Sequence, residues 1–235
     1  MFRDIIATIF NASAQFIAPS LCANCTNSVA TSGLCHSCWH ELQFISKDAC
    51  TQCGVPFPYK SLLLRCGECL RDPPNFDATV AAAVYGGVMR DMVIRLKHAD
   101  RQDIAPVLAQ IMAPKAMPVL READMILPLP LHRRRFFSRK FNQSAELARQ
   151  IMQIGGIPLE RLNTHILIRH KPTAPQGRKS KTQRITAMRG AFRVPDNYKA
   201  MIKDAHIVIV DDVMTTGASV AAAASTLKRH GAKKI

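Results

Sequence analysis

Ile207-Val208-Ile209-Val210-Asp211-Asp212-Val213-Met214-Thr215-Thr216-Gly217-Ala218-Ser219 is the stretch from which the rest of the chain can be read. Four consecutive β-favouring apolar residues without alternation predict a strand buried on both faces, the usual condition of a central parallel strand. Two carboxylates end it. After a turn of Thr, Thr, Gly and Ser, residues Val220 to His230 read as a helix with Val220, Ala224 and Leu227 on one face. Lys228, Arg229 and His230 suit the negative end of its dipole, and Gly231 stops it.

A strand that feeds a small-residue turn and then a helix N-terminus is a phosphate site in an α/β protein. Unpaired N–H groups at the helix start point into the turn, Gly217 allows close approach, and Thr215, Thr216 and Ser219 add hydroxyl donors. Asp211 and Asp212 stand where they can accept hydrogen bonds from a sugar carried by that phosphate, directly or through a hard cation such as Mg²⁺. The segment therefore describes a ribose-5-phosphate cradle. The plain alternative is a buried strand with a capped turn. A Walker-type loop does not fit, because Gly-Lys-Ser/Thr is missing.

Four apolar residues, Asp-Asp, two residues and Thr-Thr-Gly-Ala-Ser resemble the phosphoribosyl-diphosphate (PRPP) signature of type I phosphoribosyltransferases. The resemblance implies that Asp211 and Asp212 hold the ribose hydroxyls at the catalytic centre. It implies that Val213, Met214, Thr215, Thr216, Gly217, Ala218 and Ser219 wrap the 5-phosphate.

With 235 residues the chain has room for one α/β core and a small extra module. The formal charge of +15 is concentrated, since residues 132–193 hold 15 Lys or Arg against only Glu146 and Glu160. Polyanions are the expected partners, whether PRPP or nucleic acid.

All eight cysteines form four Cys-x-x-Cys pairs: Cys22/Cys25, Cys35/Cys38, Cys50/Cys53 and Cys66/Cys69. Knuckles of this kind offer thiolate pairs to tetrahedral zinc, two pairs to an ion, so two zinc ions are expected. Pairing the first with the second and the third with the fourth is the simpler arrangement, and an interleaved one stays open. Disulfides or a redox pair fit less well in a chain expected to be cytoplasmic.

Residues 1–19 are too interrupted and too short to span a membrane and read as a packing helix, although Ala12-Ser13-Ala14 mimics a cleavage site. Residues 20–72 form the cysteine module, where Trp39 is expected to pack on a knuckle and His36 and His40 are expected to be bystanders. Asp72-Pro73-Pro74-Asn75 marks the boundary to a second domain over 76–235. There a strand is expected from Phe76 to Tyr85, then helices from Met89 to His98 and from Asp103 to Met112. Met125 to Leu129 is a second buried strand. It opens a basic loop with His132, Arg133, Arg139 and Lys140, which ends in a helix capped by Asn142 or Ser144 and reaching Ile154.

Loops at the carboxyl ends of parallel strands gather, so the basic loop should face Asp211 and Asp212 and offer cations to a diphosphate leaving group. Lys97 suits a helix dipole; the resemblance adds a place near substrate. His165 to Ile168 reads as a short strand, Thr182 to Arg189 as a helix, Gly190 to Phe192 as the approach to another strand, and Asp196 to Asp204 as a polar connection. Between them Arg169, Lys171, Arg178, Lys179 and Lys181 match the loop that closes over PRPP in phosphoribosyltransferases. At Ala232 to Ile235 another strand is expected to begin, which raises the expectation of a truncated sequence.

Cys-x-x-Cys knuckles, Pro128-Leu129-Pro130-Leu131-His132, Arg139-Lys140-Phe141-Asn142-Gln143 and the PRPP signature together resemble the ComF family, competence-associated proteins with a double zinc ribbon and a phosphoribosyltransferase-like domain. The fold class is therefore α/β: an N-terminal double zinc ribbon followed by an open parallel sheet flanked by helices. Two functions are implied. One is PRPP and Mg²⁺ binding, with phosphoribosyl transfer to an acceptor the sequence does not identify. The other is an adaptor that contacts single-stranded DNA and competence-machinery proteins during DNA uptake. Lys140 stands where the family has glycine, so the loop geometry turns on whether that position is left-handed.

Overall fold

The computed structural model describes residues 20–60, 62–97, 101–172 and 181–235. The helix expected over residues 1–19 lies outside them, as do Arg178 and Lys179. In the cysteine module, strands β1 (Ser20–Leu21) and β2 (Ser28–Val29) pair antiparallel. Helices α1 (His36–His40) and α2 (Gly67–Arg71) each begin directly after a knuckle cysteine, Cys35 and Cys66.

The expected strand over Phe76–Tyr85 does not join the sheet. Its backbone pairs mainly with the cysteine module instead: Phe44 bridges Ala83 antiparallel, Ile45 N donates to Ala82 O at 3.0 Å, and Val84 N to Gln43 O at 2.8 Å, while at its start Asp77 N donates to Ile235 O at 2.8 Å. The segment's backbone groups are thus satisfied between modules.

Helix α3 (Gly87–Leu96) buries Met92, Val93 and Leu96, the expected face. Helix α4 (Ile104–Glu122) continues ten residues past the expected stop at Met112, through Pro114 and Pro118. Each proline removes a helical donor. Burial on both sides of the prolines, at Ala109, Ile111, Ala113 and Leu120, offsets that loss by holding the helix against α6 (Gln143–Gly155).

Strand β3 (Met125–Pro128) lies parallel to the strand predicted from the opening stretch, Ile207–Val210, in the register Met125↔Ile207. Single parallel bridges extend the pair on both sides, Ile126 to Leu162 and His206 to Lys234. The spatial order is therefore 162, β3, 207–210, 234, a parallel sheet with its two best-formed strands in the middle. A separate antiparallel pair, β4 (Ile168–Arg169) and β5 (Phe192–Arg193), stands beside it. The strand expected over His165–Ile168 is displaced because Asn163 Oδ1 accepts the N–H groups of His165 and Ile166, at 2.8 and 3.0 Å, and folds them into a turn.

Helix α5 (Arg133–Arg139) occupies what the sequence suggested was loop, with His132 Nδ1 accepting from Arg134 N. It ends at Lys140, whose φ of 62° is left-handed. Helix α7 (Lys181–Met188) precedes β5, and the expected polar connection holds a 3-10 turn and helix α8 (Lys199–Ile202) with Ile202 buried. The signature strand, β6 (Ile207–Val210), then leads to helix α9 (Ala218–Arg229). One apolar cluster joins Cys22 and Cys38 to α3, α4 and α6; the other joins β6 and α9 to Ile166, Met188 and Phe192.

Candidate functional site

The cysteines fall into two tetrads, Cys22/Cys25/Cys35/Cys38 and Cys50/Cys53/Cys66/Cys69, each with its sulfurs within 4.8 Å of one another. The knuckles pair in sequence order and are not interleaved. Four thiolates about 2.3 Å from one ion stand about 3.8 Å apart. The observed separations of 3.5 Å for Cys25 to Cys35 and 3.7 Å for Cys53 to Cys66 fit.

Cys22 and Cys50 play equivalent parts. Each accepts a backbone N–H at 3.3 Å, from Cys35 and Cys66 respectively. Burial raises both thiols, but the surrounding N–H groups overcome it and bring each down to about 6. Burial pushes Cys38 up to about 12 and Cys53 to about 11. In each tetrad the N–H donors thus favour the thiolate form of one cysteine, and a divalent ion would displace protons from the others. The donor sets fit two zinc ions. His36 and His40 sit outside both tetrads, hydrogen-bonded to each other at 3.0 Å. Trp39 packs on Phe44, centroids 5.4 Å apart, and remains 49% exposed.

At the carboxyl end of β6, Asp211 and Asp212 stand half-buried. Ser144, on the first turn of α6, donates its hydroxyl to Asp211 Oδ1 at 3.0 Å, and Asp212 N donates to the same oxygen at 2.9 Å. Asn142 aims that turn, its Nδ2 donating to Leu129 O at 3.2 Å and its Oδ1 accepting from Ser144 N at 3.1 Å. Burial and the neighbouring Asp212 charge hold the Asp211 carboxyl well above its usual range, against the pull of Ser144.

Cations surround the pair. Lys97 Nζ lies 2.9 Å from Asp212 Oδ2. Arg139 donates to Gln143 Oε1 at 3.2 Å; burial and Arg135 lower its pKa, while Asp212 favours its charge. Arg169, 6% exposed, is a buried strand residue rather than part of the loop expected around it. Its guanidinium stands 5.9 Å from the centre of the Phe192 ring; burial and Arg135 lower its pKa, while the Asp211 charge favours the cation. Arg133 is exposed at the start of α5, and Lys171 Nζ donates to Arg189 O at 3.5 Å. Lys181 opens α7.

The turn reaches Gly217 at φ 69°, a left-handed N-cap that glycine adopts without cost. Thr215 is exposed and accepts from Arg184 Nη1 at 3.5 Å. A cleft of about 1170 Å³ runs over Asp211 to Gly217 and on past Phe76 to Cys53 and Cys66. Sequence reasoning missed the contacts of Ser144, read only as a cap, and of Arg184. The convergence of strand ends pointed to the first; a helical period alone does not say which residue of α7 faces the turn.

A pair of cysteine ribbons on an α/β unit with this turn defines a class, the double zinc ribbon proteins that carry a phosphoribosyltransferase domain. Residues 13–70 match the double zinc ribbon domain family and residues 144–235 the phosphoribosyl transferase domain family. The chain belongs to the ComF family. It is 33% identical over 225 residues to DNA utilization protein YhgH of Salmonella typhimurium, covering 92% of this chain and 94% of the relative. Competence protein F of Haemophilus influenzae is 28% identical, with 91% and 93% covered. Competence protein ComFC of Bacillus subtilis is 26% identical, with 84% and 79% covered.

Proposed function

We propose that the chain binds PRPP with Mg²⁺ at Asp211, Asp212 and the 213–219 turn, and transfers its phosphoribosyl group to an acceptor in the service of DNA utilization. The observation that carries this reading is the carboxylate pair at the end of β6, ringed by Lys97, Arg139 and Arg169 and followed by the Gly217 turn. The raised Asp211 carboxyl fits a place meant for a cation, which removes the like-charge repulsion. A bound Mg²⁺ supplies charge neutralisation for a departing diphosphate.

Asp211 and Asp212 accept from the ribose hydroxyls, and Ser144 keeps Asp211 aimed. The N–H groups of the turn hold the 5-phosphate. Lys97 exchanges Asp212 for the diphosphate, which Arg139 also meets. Diphosphate leaves C1 with the electron pair of the C–O bond, and the acceptor's lone pair forms the new bond. Lys171, Arg178, Lys179 and Lys181 close over the bound substrate.

A second reading, single-stranded DNA binding, is favoured by Phe136 and Phe137, exposed edge to face among the arginines of α5, and by the exposed Trp39. Aromatic rings among basic residues suit unpaired bases. Calorimetric titration with PRPP and with single-stranded DNA at matched salt decides between them. Asp211→Asn with Asp212→Asn is expected to weaken Mg²⁺-dependent PRPP binding at least about tenfold, because charge-assisted hydrogen bonds of roughly 1.5–3 kcal/mol each are lost. Unchanged PRPP affinity overturns the first reading. Neutralising Arg133, Arg139, Lys179 and Lys181 is expected to weaken PRPP and diphosphate; if it instead flattens the salt dependence of DNA binding, by about 0.7 per lost contact, the second reading stands.

A further inference from the structure

The first and third knuckles carry an amide at the same place, Asn24 in Cys22-Ala23-Asn24-Cys25 and Gln52 in Cys50-Thr51-Gln52-Cys53. Asn24 Nδ2 stays within its own tetrad, donating to Cys38 Sγ at 3.4 Å. Gln52, one methylene longer and 5% exposed, reaches out of the tetrad to the connecting segment. Its Nε2 donates to Phe76 O at 3.2 Å and to Pro74 O at 3.4 Å. The same knuckle holds the segment again further on. Thr79 N donates to Thr51 O at 3.3 Å, and a β-carbon on Gly54 would stand 3.3 Å from Thr79 Cγ2.

On its other side the segment meets the turn. Phe76 is 3% exposed, and two of its ring carbons lie 3.9 Å from where a β-carbon on Gly217 would be. Asp77, the next residue, accepts from Lys228 Nζ at 2.8 Å and from Ile235 N at 2.7 Å, and its own N–H donates to Ile235 O at 2.8 Å. Lys228 belongs to α9, the helix that the turn opens.

From Thr215 to Ser219 the turn is made of small residues, which have little side-chain mass with which to fix its position. Gly217 has none; nearest to where its β-carbon would be are the Phe76 ring carbons and the turn's own Met214 Sδ, all at 3.9 Å, so the Phe76 ring is the support that reaches Gly217 from outside the turn. Pro73 and Pro74 stiffen the approach to Phe76, so the segment passes a displacement on rather than absorbing it. We infer that Gln52 and Phe76 are positioning residues for the phosphate turn, through which the Cys50/Cys53/Cys66/Cys69 tetrad, at the other end of the cleft, sets the geometry of that turn. The inference rests on the reading of 213–219 as a phosphate-holding turn.

The test uses the full chain and two probes that report different parts of the site, ribose 5-phosphate for the turn and Mg²⁺-diphosphate for Lys97 and Arg139. Gln52→Met keeps the volume and removes both hydrogen bonds. It is expected to weaken ribose 5-phosphate about tenfold, leave Mg²⁺-diphosphate unchanged and retain the wild-type zinc content. Phe76→Leu carries the same test should Gln52→Met fold poorly. Combining the two is expected to cost less than the sum, since both act on one segment. Equal losses for both probes, or no loss for either, overturn the coupling. A wild-type protein that binds Mg²⁺-diphosphate but not ribose 5-phosphate overturns the phosphate-turn reading itself, and the inference with it.

Discussion

Asp211 shows what a buried carboxylate beside a second one costs the fold that carries it. Burial and the charge of Asp212 raise its carboxyl, so the folded chain keeps a proton that the unfolded chain has already released. Where the native state binds more protons, stability falls as pH rises, from the ordinary carboxylate range up to the raised value. Asp211→Asn removes that loss. In the ligand-free protein it is expected to raise the thermal midpoint at neutral pH and to change it little below about pH 4, where both states are protonated. A gain of equal size at every pH overturns this account. The place of the two aspartates was legible because two acids after an unbroken apolar run mark the end of a buried strand. Ser144, Arg184 and Gln52 were not, because each acts through a contact with a segment distant in sequence, which spacing does not encode.

At the scale of elements, the parallel pair β3 and β6 and the helices after them were legible from unbroken apolar runs and from caps such as Asn142. Elements whose backbone partners lie elsewhere were not. Residues 76–85 have strand character but meet the cysteine module, and α4 runs through two prolines because its burial outweighs them. Helix α5 was hidden by its charge, and its end answers the question raised by Lys140. The backbone there is left-handed, at φ 62°, with Lys140 N donating to Phe136 O at 2.7 Å. A side chain in that conformation costs roughly 1–2 kcal/mol. Lys140→Gly relieves it at some cost in chain entropy, so a net gain of up to about 1 kcal/mol in urea unfolding is expected. A loss of stability would mean that the lysine side chain itself holds the turn.

Across the whole molecule, charge and cysteine spacing were the most legible features, because they depend on composition and local repeats. Among the described residues no helix is long and apolar enough to cross a membrane. Two tetrads in sequence order predict about two zinc ions per chain. Cobalt substitution with metal quantification is expected to return that number with tetrathiolate absorption, and a single equivalent overturns it. The way the modules meet was not legible, since Lys115 Nζ on Ser46 O at 3.2 Å and Gln43–Ile45 on Ala82–Val84 join segments remote in sequence. Synthesis proceeds at about 5–20 residues per second, so the cysteine module leaves the ribosome on the order of ten seconds before residues 207–219 exist. A module already loaded with metal then offers residues 43–45 as a ready edge for 82–84. Zinc scarcity during translation would therefore spoil newly made copies and spare those already folded.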